Sequence, residues 1–313
     1  MASRTDNKRA PLAPPRTPAA PKGFHVAVTA AGVKYANRND LALLVSDVPC
    51  VVAGVFTQNV FAAAPVQWDR AVVKRGRARA VIVNTGNANC ATGAQGEKDC
   101  AEMAALAAAA VGAKANEILV GSTGVIGVPL PMPKIRQAMP ALAQSVGQCD
   151  WAQFADAILT TDTVRKMAGA RLRLGGREVR ILGVCKGSGM IHPNMATMLA
   201  FIVTDAAIEP AALRAIFARV ADETFNSLTV DGDTSTNDTA IVMANGMAGN
   251  APVRRGTPAA RQFAAALNEV CAALAYQLVR DGEGASKVAV IRVEGAASAA
   301  DARRAAQAVA TSS

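Results

Sequence analysis

Five polar, glycine-rich segments interrupt an otherwise apolar chain, and they hold most of the side chains able to do chemistry. They are Val83-Asn-Thr-Gly-Asn-Ala-Asn-Cys90, Gly121-Ser-Thr-Gly-Val-Ile-Gly127, the run from Cys185 to Met198, the run from Thr229 to Thr239, and Arg280-Asp-Gly-Glu-Gly-Ala-Ser-Lys287. None is a phosphate loop of the GxxxxGK[ST] kind, and none is a GxGxxG dinucleotide fingerprint. The Asp231/Asp233 stretch imitates the start of a calcium loop. It fails where that loop needs glycine, because Thr236 stands there, and where it needs a bidentate Glu, because Val242 does. His25 and His192 are the only histidines, so a multi-histidine zinc site is not expected, and no metal is assigned. The six cysteines contain no CxxC pair, which removes a metal knuckle or dithiol motif.

Within these segments Thr197 poses the sharpest question. It follows Ala196 and opens an apolar run, with Gly187 and Gly189 shortly before it. A threonine hydroxyl is a poor nucleophile without a base, and the α-amine of an N-terminal threonine is one such base. An internal threonine acquires that amine only if the chain is cut just before it. Attack of its own hydroxyl on the preceding carbonyl could make that cut. Spacing alone favours the plainer reading, one of many strand threonines. Thr123-Gly124 follows a strand-like run and reads as a strand-ending turn, or as backbone N–H groups turned toward a carbonyl oxygen, an oxyanion hole. Lys186 and Glu283 read as solvated loop charges or as groups that meet a ligand. His192 reads as a loop residue before Pro193, and Cys185 as packing.

The elements that must position these groups alternate along the chain from Phe24. Short Val- and Ile-rich runs predict strands over 51–57, 78–84, 117–122, 179–184, 198–203, 239–244 and 288–293. Helical spacing predicts helices over 96–111, 133–146, 151–159, 210–224, 258–279 and 299–309. Pro210 and the Thr257-Pro258 pair mark two clean helix starts. The class is α+β. Several strand-to-strand links are too short for helical crossovers, so an all-parallel sheet is not required.

Residues 1–22 stand apart. Five prolines and five basic residues predict a disordered arm without the apolar stretch of a secretory signal. Net charge is +9, but the basic residues are scattered and the few aromatics are not interleaved with them, which argues against nucleic acid. Attraction of acidic small molecules is the milder consequence. No apolar run approaches membrane-spanning length. Dispersed thiols and no secretory signal point to the cytoplasm.

The third segment carries a specific likeness. Lys186-Gly-Ser-Gly-Met-Ile-His-Pro-Asn-Met-Ala-Thr-Met-Leu199 closely resembles the signature of the ornithine acetyltransferase family, the glutamate N-acetyltransferases of arginine biosynthesis. Thr29-Ala-Ala-Gly-Val-Lys34, Asn84-Thr-Gly-Asn-Ala-Asn89, Ser122-Thr-Gly-Val-Ile-Gly127, Thr160-Thr-Asp162 and the fourth and fifth segments agree in order and interval, over residues 24–313. The resemblance implies self-cleavage between Ala196 and Thr197. It gives a 23–196 α-chain region and a 197–313 β-chain region, assembled as two copies of each. It implies Thr197 as nucleophile, Thr123 and Gly124 as oxyanion hole, and Thr160 (or adjoining Thr161), Lys186, Thr197 and Glu283 as substrate ligands. The implied fold layers helices around mixed β-sheets, like the autoprocessed N-terminal-threonine hydrolases. The implied reaction moves acetyl from N-acetylornithine to glutamate through an acetyl-threonine, with no cofactor; acetyl-CoA is a further possible donor. Family members continue past the position of Ser313 with a segment that supplies an Asn and a Ser or Thr to the site. The competing expectations are a related autoprocessed amidase or aminopeptidase, and an inactive truncated homologue.

Overall fold

The computed structural model describes residues 18–192 and 198–312. In chain order the strands are β1 (Phe24–Thr29), β2 (Leu41–Phe56), β3 (Arg77–Asn87), β4 (Ile118–Val125), β5 (Lys166–Leu174), β6 (Arg177–Lys186), β7 (Leu199–Thr204) and β8 (Thr239–Ala244). The helices are α1 (Ala64–Arg75), α2 (Gly93–Val111), α3 (Met132–Gln144), α4 (Trp151–Ala157), α5 (Pro210–Glu223), α6 (Pro258–Arg280) and α7 (Ala299–Ala310).

Every residue of β7 and β8 is buried, as in strands covered on both faces. They lie mid-sheet in the order β4-β3-β2-β8-β7-β6-β5, with β1 also on β2. The pairs β3–β4 and β7–β8 are parallel and the other pairs antiparallel. Each parallel pair is joined by a crossover that contains a helix, α2 in one and α5 in the other, as parallel geometry requires.

The long β2 breaks register with β3 between Val45 and Cys50, and this bulge bends the strand. The sheet folds there into two facing halves. Gly121 of β4 lies against Phe201 of β7, so close that a Cβ would stand 3.2 Å from the ring. Leu44, Val83, Leu182, Phe201 and Ile241 form the apolar layer between the halves, with Phe154 of α4. Outside one half, Leu41, Leu43 and Ile82 pack against Met103 of α2 and Ile135 of α3. Outside the other, Ile202 and Val242 pack against Phe217 of α5 and Leu267 of α6. The result is four layers, α-β-β-α.

Four departures from the sequence reading stand out. Helix α1 and strands β1 and β5 were not anticipated, and β2 begins ten residues before the expected 51–57 run. The run 288–293 forms no strand, because it finds no ladder partner among the described residues, and Val290 is exposed. The end of the supposed disordered arm, residues 18–22, lies on the fold. Lys22 N–H donates to Asp205 at 3.0 Å, Arg180 reaches the Ala20 carbonyl, and Pro21 is buried. The rest of the arm, 1–17, lies outside the described residues. No helix among the described residues is long and apolar enough to cross a membrane.

Candidate active site at the strand ends

Lys186 is the last residue of β6 and pairs with Leu199, the first of β7. Its ammonium is buried and donates to Thr160 Oγ1 at 2.7 Å, with Asp162 Oδ2 3.7 Å away. Thr160, rather than Thr161, is therefore the partner of Lys186. Thr161 instead meets Ser188 Oγ at 2.7 Å. Glu283 joins the same turn: its N–H donates to the Ser188 carbonyl at 2.7 Å, and Ser188 Oγ lies 3.5 Å from its carboxylate. Gly189 leaves room for this approach, since a Cβ would lie 2.8 Å from the Glu283 carboxyl carbon and the carboxylate would have to shift. Thr160, Lys186 and Glu283 thus converge on Lys186-Gly-Ser-Gly189.

A second lysine, Lys166, underpins the cluster. It is fully buried at the start of β5 and bonds Asp162 Oδ1 and Asp281 Oδ2, each at 2.6 Å. Asp281 caps the end of α6, accepts from Thr163 N–H at 3.0 Å and also bonds the Thr163 hydroxyl. Burial pushes the Lys186 pKa down from its usual value, and the neighbouring Lys166 charge adds to that, against the pull of Asp162. For Asp162, burial alone would raise the carboxyl, but Lys186 and Lys166 outweigh it and hold it at about 2. Burial opposes the charge on Lys166 too, and its carboxylate partners overcome it, leaving its pKa raised. Burial also pushes the Cys185 thiol up to about 12, which suits packing and not nucleophilic chemistry.

The other wall is made of backbone and amides. Thr123 is buried and Gly124 follows it at φ +133 at the end of β4. A Cβ on Gly124 would fall 2.2 Å from the Gly86 carbonyl carbon, so only glycine allows β4 to lie this close to β3. Beneath it the asparagines of the first segment serve the backbone: Asn84 accepts from Ser122 Oγ and donates to the Asn87 carbonyl, and Asn89 donates to the Gly96 carbonyl.

Asn237 and Asp238 link the two walls. Asn237 donates to the Ser122 and Ala88 carbonyls at 3.0 and 2.6 Å. Asp238 accepts from Met198 N–H at 3.0 Å. Its Oδ2 is buried with no hydrogen-bond partner among the described residues, and burial raises its pKa well above the carboxylate range. The pair ties the residue before Thr123 to the residue after Thr197. Ala196 and Thr197 themselves lie outside the described residues. His192 contacts Thr229 Oγ1, and Asp231 accepts from the Met190 and Ile191 N–H groups, a backbone clamp on the loop. Sequence reasoning assigned no role to Asp162, Lys166, Asp238 or Asp281. Asp238 and Asp281 sit inside segments singled out by composition, and Asp162 inside a motif reached only through the family resemblance; Lys166 carries no such signal.

Four layers with a charged cluster facing an amide wall at the strand ends define an α-β-β-α protein built around one strand-end site. The ArgJ family model matches residues 25–313. The "Arginine biosynthesis bifunctional protein ArgJ" of Geobacter sulfurreducens is 51% identical over 291 residues, covering 93% of this chain and 74% of that protein. Its namesake in Thermus thermophilus is 51% identical over 294 residues, 93% and 73% of the two chains. The crystal structure of ArgJ from Bacillus halodurans matches with TM-score 0.52 and 40% identity, covering 56% of this chain and 92% of that one. The PH0078 protein of Pyrococcus horikoshii shares the fold at 10% identity and TM-score 0.52, over 84% of this chain and 85% of that one. The chain belongs to the ArgJ family, a family of arginine-biosynthesis enzymes.

Proposed function

We propose that the chain cuts itself between Ala196 and Thr197 and then carries acetyl from N-acetylornithine to glutamate on Thr197. The observation that carries this reading is the convergence of Thr160, Lys186 and Glu283 beside the start of β7. Lys186 pairs in the strand register with Leu199, which follows Thr197 by two residues in the chain. An amino-acid substrate offers the matching groups: its carboxylate to Lys186 and its α-ammonium to Glu283.

In the first stage the Thr197 hydroxyl attacks the Ala196 carbonyl carbon, and the peptide becomes an ester as its nitrogen is released and protonated. Water then hydrolyses the ester, leaving the Ala196 carboxylate, the free hydroxyl and a new α-amine. In the transfer stage that amine takes the hydroxyl proton as Thr197 attacks the acetyl carbonyl. Ornithine leaves with the proton on its nitrogen. The amine of glutamate attacks the acetyl ester, and the Thr197 oxygen recovers a proton. Thr123 and Gly124 face the oxyanion of each tetrahedral intermediate. Acetyl-CoA would enter the same first half-reaction, with its thiol as leaving group.

The sheet order supports the cut being tolerated. Strands β7 and β8 belong to the segment after the cut, yet they lie between β2 and β6 of the segment before it. Two antiparallel ladders therefore hold the products together, and they are not separate domains. The extent of the Bacillus match also supports it. A share of 56% of 313 residues is about 175, near the 174 residues of segment 23–196, and it accounts for 92% of that solved chain. We infer further that two copies of each segment assemble, in the cytoplasm.

Intact mass spectrometry of freshly made protein tests the first stage. The expected result is two species divided between Ala196 and Thr197, and one uncut species in Thr197→Ala. A single uncut wild-type mass with no acetyl transfer to glutamate would sink the reading. Acetate released from N-acetylornithine without glutamate would favour the amidase alternative.

A further inference from the structure

We infer that Lys166 is a positioning residue that balances charge behind the site and so keeps the Lys186 ammonium available to a substrate carboxylate. The inference rests on the amino-acid acyltransfer reading above and adds to it the device that sets the charge of its carboxylate pocket.

The geometry separates the two lysines by task. Lys166 has all three donors engaged, to Asp162, Asp281 and the Val164 carbonyl at 3.3 Å, and none of its side chain is exposed. It lines no open space. Among the described residues Lys186 has one short hydrogen bond, to Thr160, and stands off from Asp162 at 3.7 Å. The stand-off has a cause. Asp162 Oδ1 is already shared by Lys166 and Gly187 N–H, both at 2.6 Å, and Oδ2 accepts from Thr160 N–H at 3.2 Å. Asp162 is thus engaged by one cation and two N–H groups, and Lys186, the second cation, acts on it by charge across 3.7 Å rather than through a close contact. Without Lys166, Asp162 Oδ1 would lose its cation and Asp162 would compete with the substrate for Lys186. Two carboxylates would also face a single ammonium, a charge imbalance in a buried place.

The titratable groups around Lys186 come from four elements. Asp162 lies on the loop before β5, Lys166 on β5, Asp238 at the entry to β8, and Glu283 past the end of α6, near Asp281. Lys166 is the nearby cation among them, and it lowers the Lys186 pKa, whereas Asp162 and Asp238 raise it. Binding of a carboxylate to Lys186 needs the ammonium, so binding fades as pH rises through the Lys186 pKa. Removing a positive neighbour moves that limit up; removing a negative one moves it down.

The test is calorimetric binding of L-glutamate to the full chain between pH 6 and 11, in wild type and three variants. Lys166→Met should weaken binding at pH 7 about 10-fold and move the alkaline limit up by about 1 pH unit. Asp281→Asn leaves the Lys166 charge less balanced and should move the limit down, by less than Lys166→Met moves it up, and it keeps the shape of the side chain should Lys166→Met fail to fold. Lys166→Arg retains the charge and should keep the limit near that of wild type. A role in packing alone would move both limits in the same direction or neither, and either result would overturn the inference while leaving the acyltransfer reading standing. Wild type that binds no glutamate at any pH would sink the acceptor reading and this inference with it.

Discussion

The two walls of the site are built from opposite materials. One, at the ends of β5, β6 and α6, is a set of charged side chains: Lys186, Asp162, Lys166, Asp281 and Glu283. The other, at the ends of β3 and β4, holds Thr123, Gly124 and a framework of asparagine amides whose hydrogen bonds join neutral groups, with the stem of Lys34 beside Gly86. A charged wall recognises charged groups and answers to pH. An amide wall offers fixed dipoles that do not titrate, and its value depends on geometry alone. The division suits an enzyme whose substrates carry the charges but whose reacting carbonyl does not. It also means that the two walls fail in different ways.

Breaking the charged wall should produce the largest effect. Lys186→Met leaves Asp162 supported by Lys166 alone and removes the cation for the substrate carboxylate. Truncating one partner of a buried charge pair costs about 2–5 kcal/mol, so glutamate affinity should fall by at least about 30-fold. Titration calorimetry reads it. Breaking the amide wall should spare binding and cost rate. In Gly124→Ala the new Cβ would collide with the Gly86 backbone at 2.2 Å, in a conformation that alanine rarely adopts. Self-cleavage and acetyl transfer should each slow by about 10²–10³, as when an oxyanion donor is lost. Glutamate affinity should stay within about 3-fold of wild type, since Gly124 is not among the hydrogen-bond partners of Lys186, Thr160 or Glu283 in the described residues. Rate and affinity falling together in both variants would erase the distinction between the walls.

Acid sharpens the comparison. Asp162 titrates at about 2 in the folded protein against a usual 3.8. A carboxyl with a depressed pKa contributes stability that is present above the unfolded value and is lost as pH falls through the folded one. The window is therefore about pH 4 down to 2, and the contribution is about 2 kcal/mol. Melting curves should show wild type losing that increment over this window and Asp162→Asn lacking it. Gly124→Ala should keep the wild-type acid dependence, because it leaves Asp162 and its two lysine neighbours in place.

How much of this was legible in the sequence follows from the range of the forces involved. Strand β8 and helices α5 and α6 lie within a residue or so of their expected limits, because Val-rich runs and N-terminal prolines act locally. Helix α1 has a proline but no side-chain cap, and its buried face includes Asp69, which weakens the apolar stripe. Strand β5, KMAGARLRL, is half exposed and rich in Arg and Ala, which do not mark strands. The 288–293 run has strand composition, but a strand also needs a partner, and composition does not supply one. In the site, Thr160, Lys186 and Glu283 were reached through long motifs, and the structure brings those three together. Lys166 was not reached. Its two partners lie 4 and 115 residues away, and a lone lysine at the head of an Ala- and Arg-rich run looks like any solvated one.

The smallest expected effect concerns Asp238, where the two walls meet. Its carboxyl is buried, with one oxygen on Met198 N–H and the other without a partner among the described residues, and burial raises its pKa well above the ordinary range. The folded protein therefore favours the neutral acid, while the unfolded chain ionises above about pH 4. A raised carboxyl pKa lowers stability as pH rises from the unfolded value toward the folded one. Asn carries no such dependence and keeps the acceptor for Met198. Asp238→Asn should raise the melting temperature by about 2 °C or more at pH 8 and leave it near wild type at pH 4. An equal gain at both pH values would mean that packing, not charge, governs the junction. A loss at pH 8 would show that Asp238 is ionised there, which would make the junction part of the charged wall.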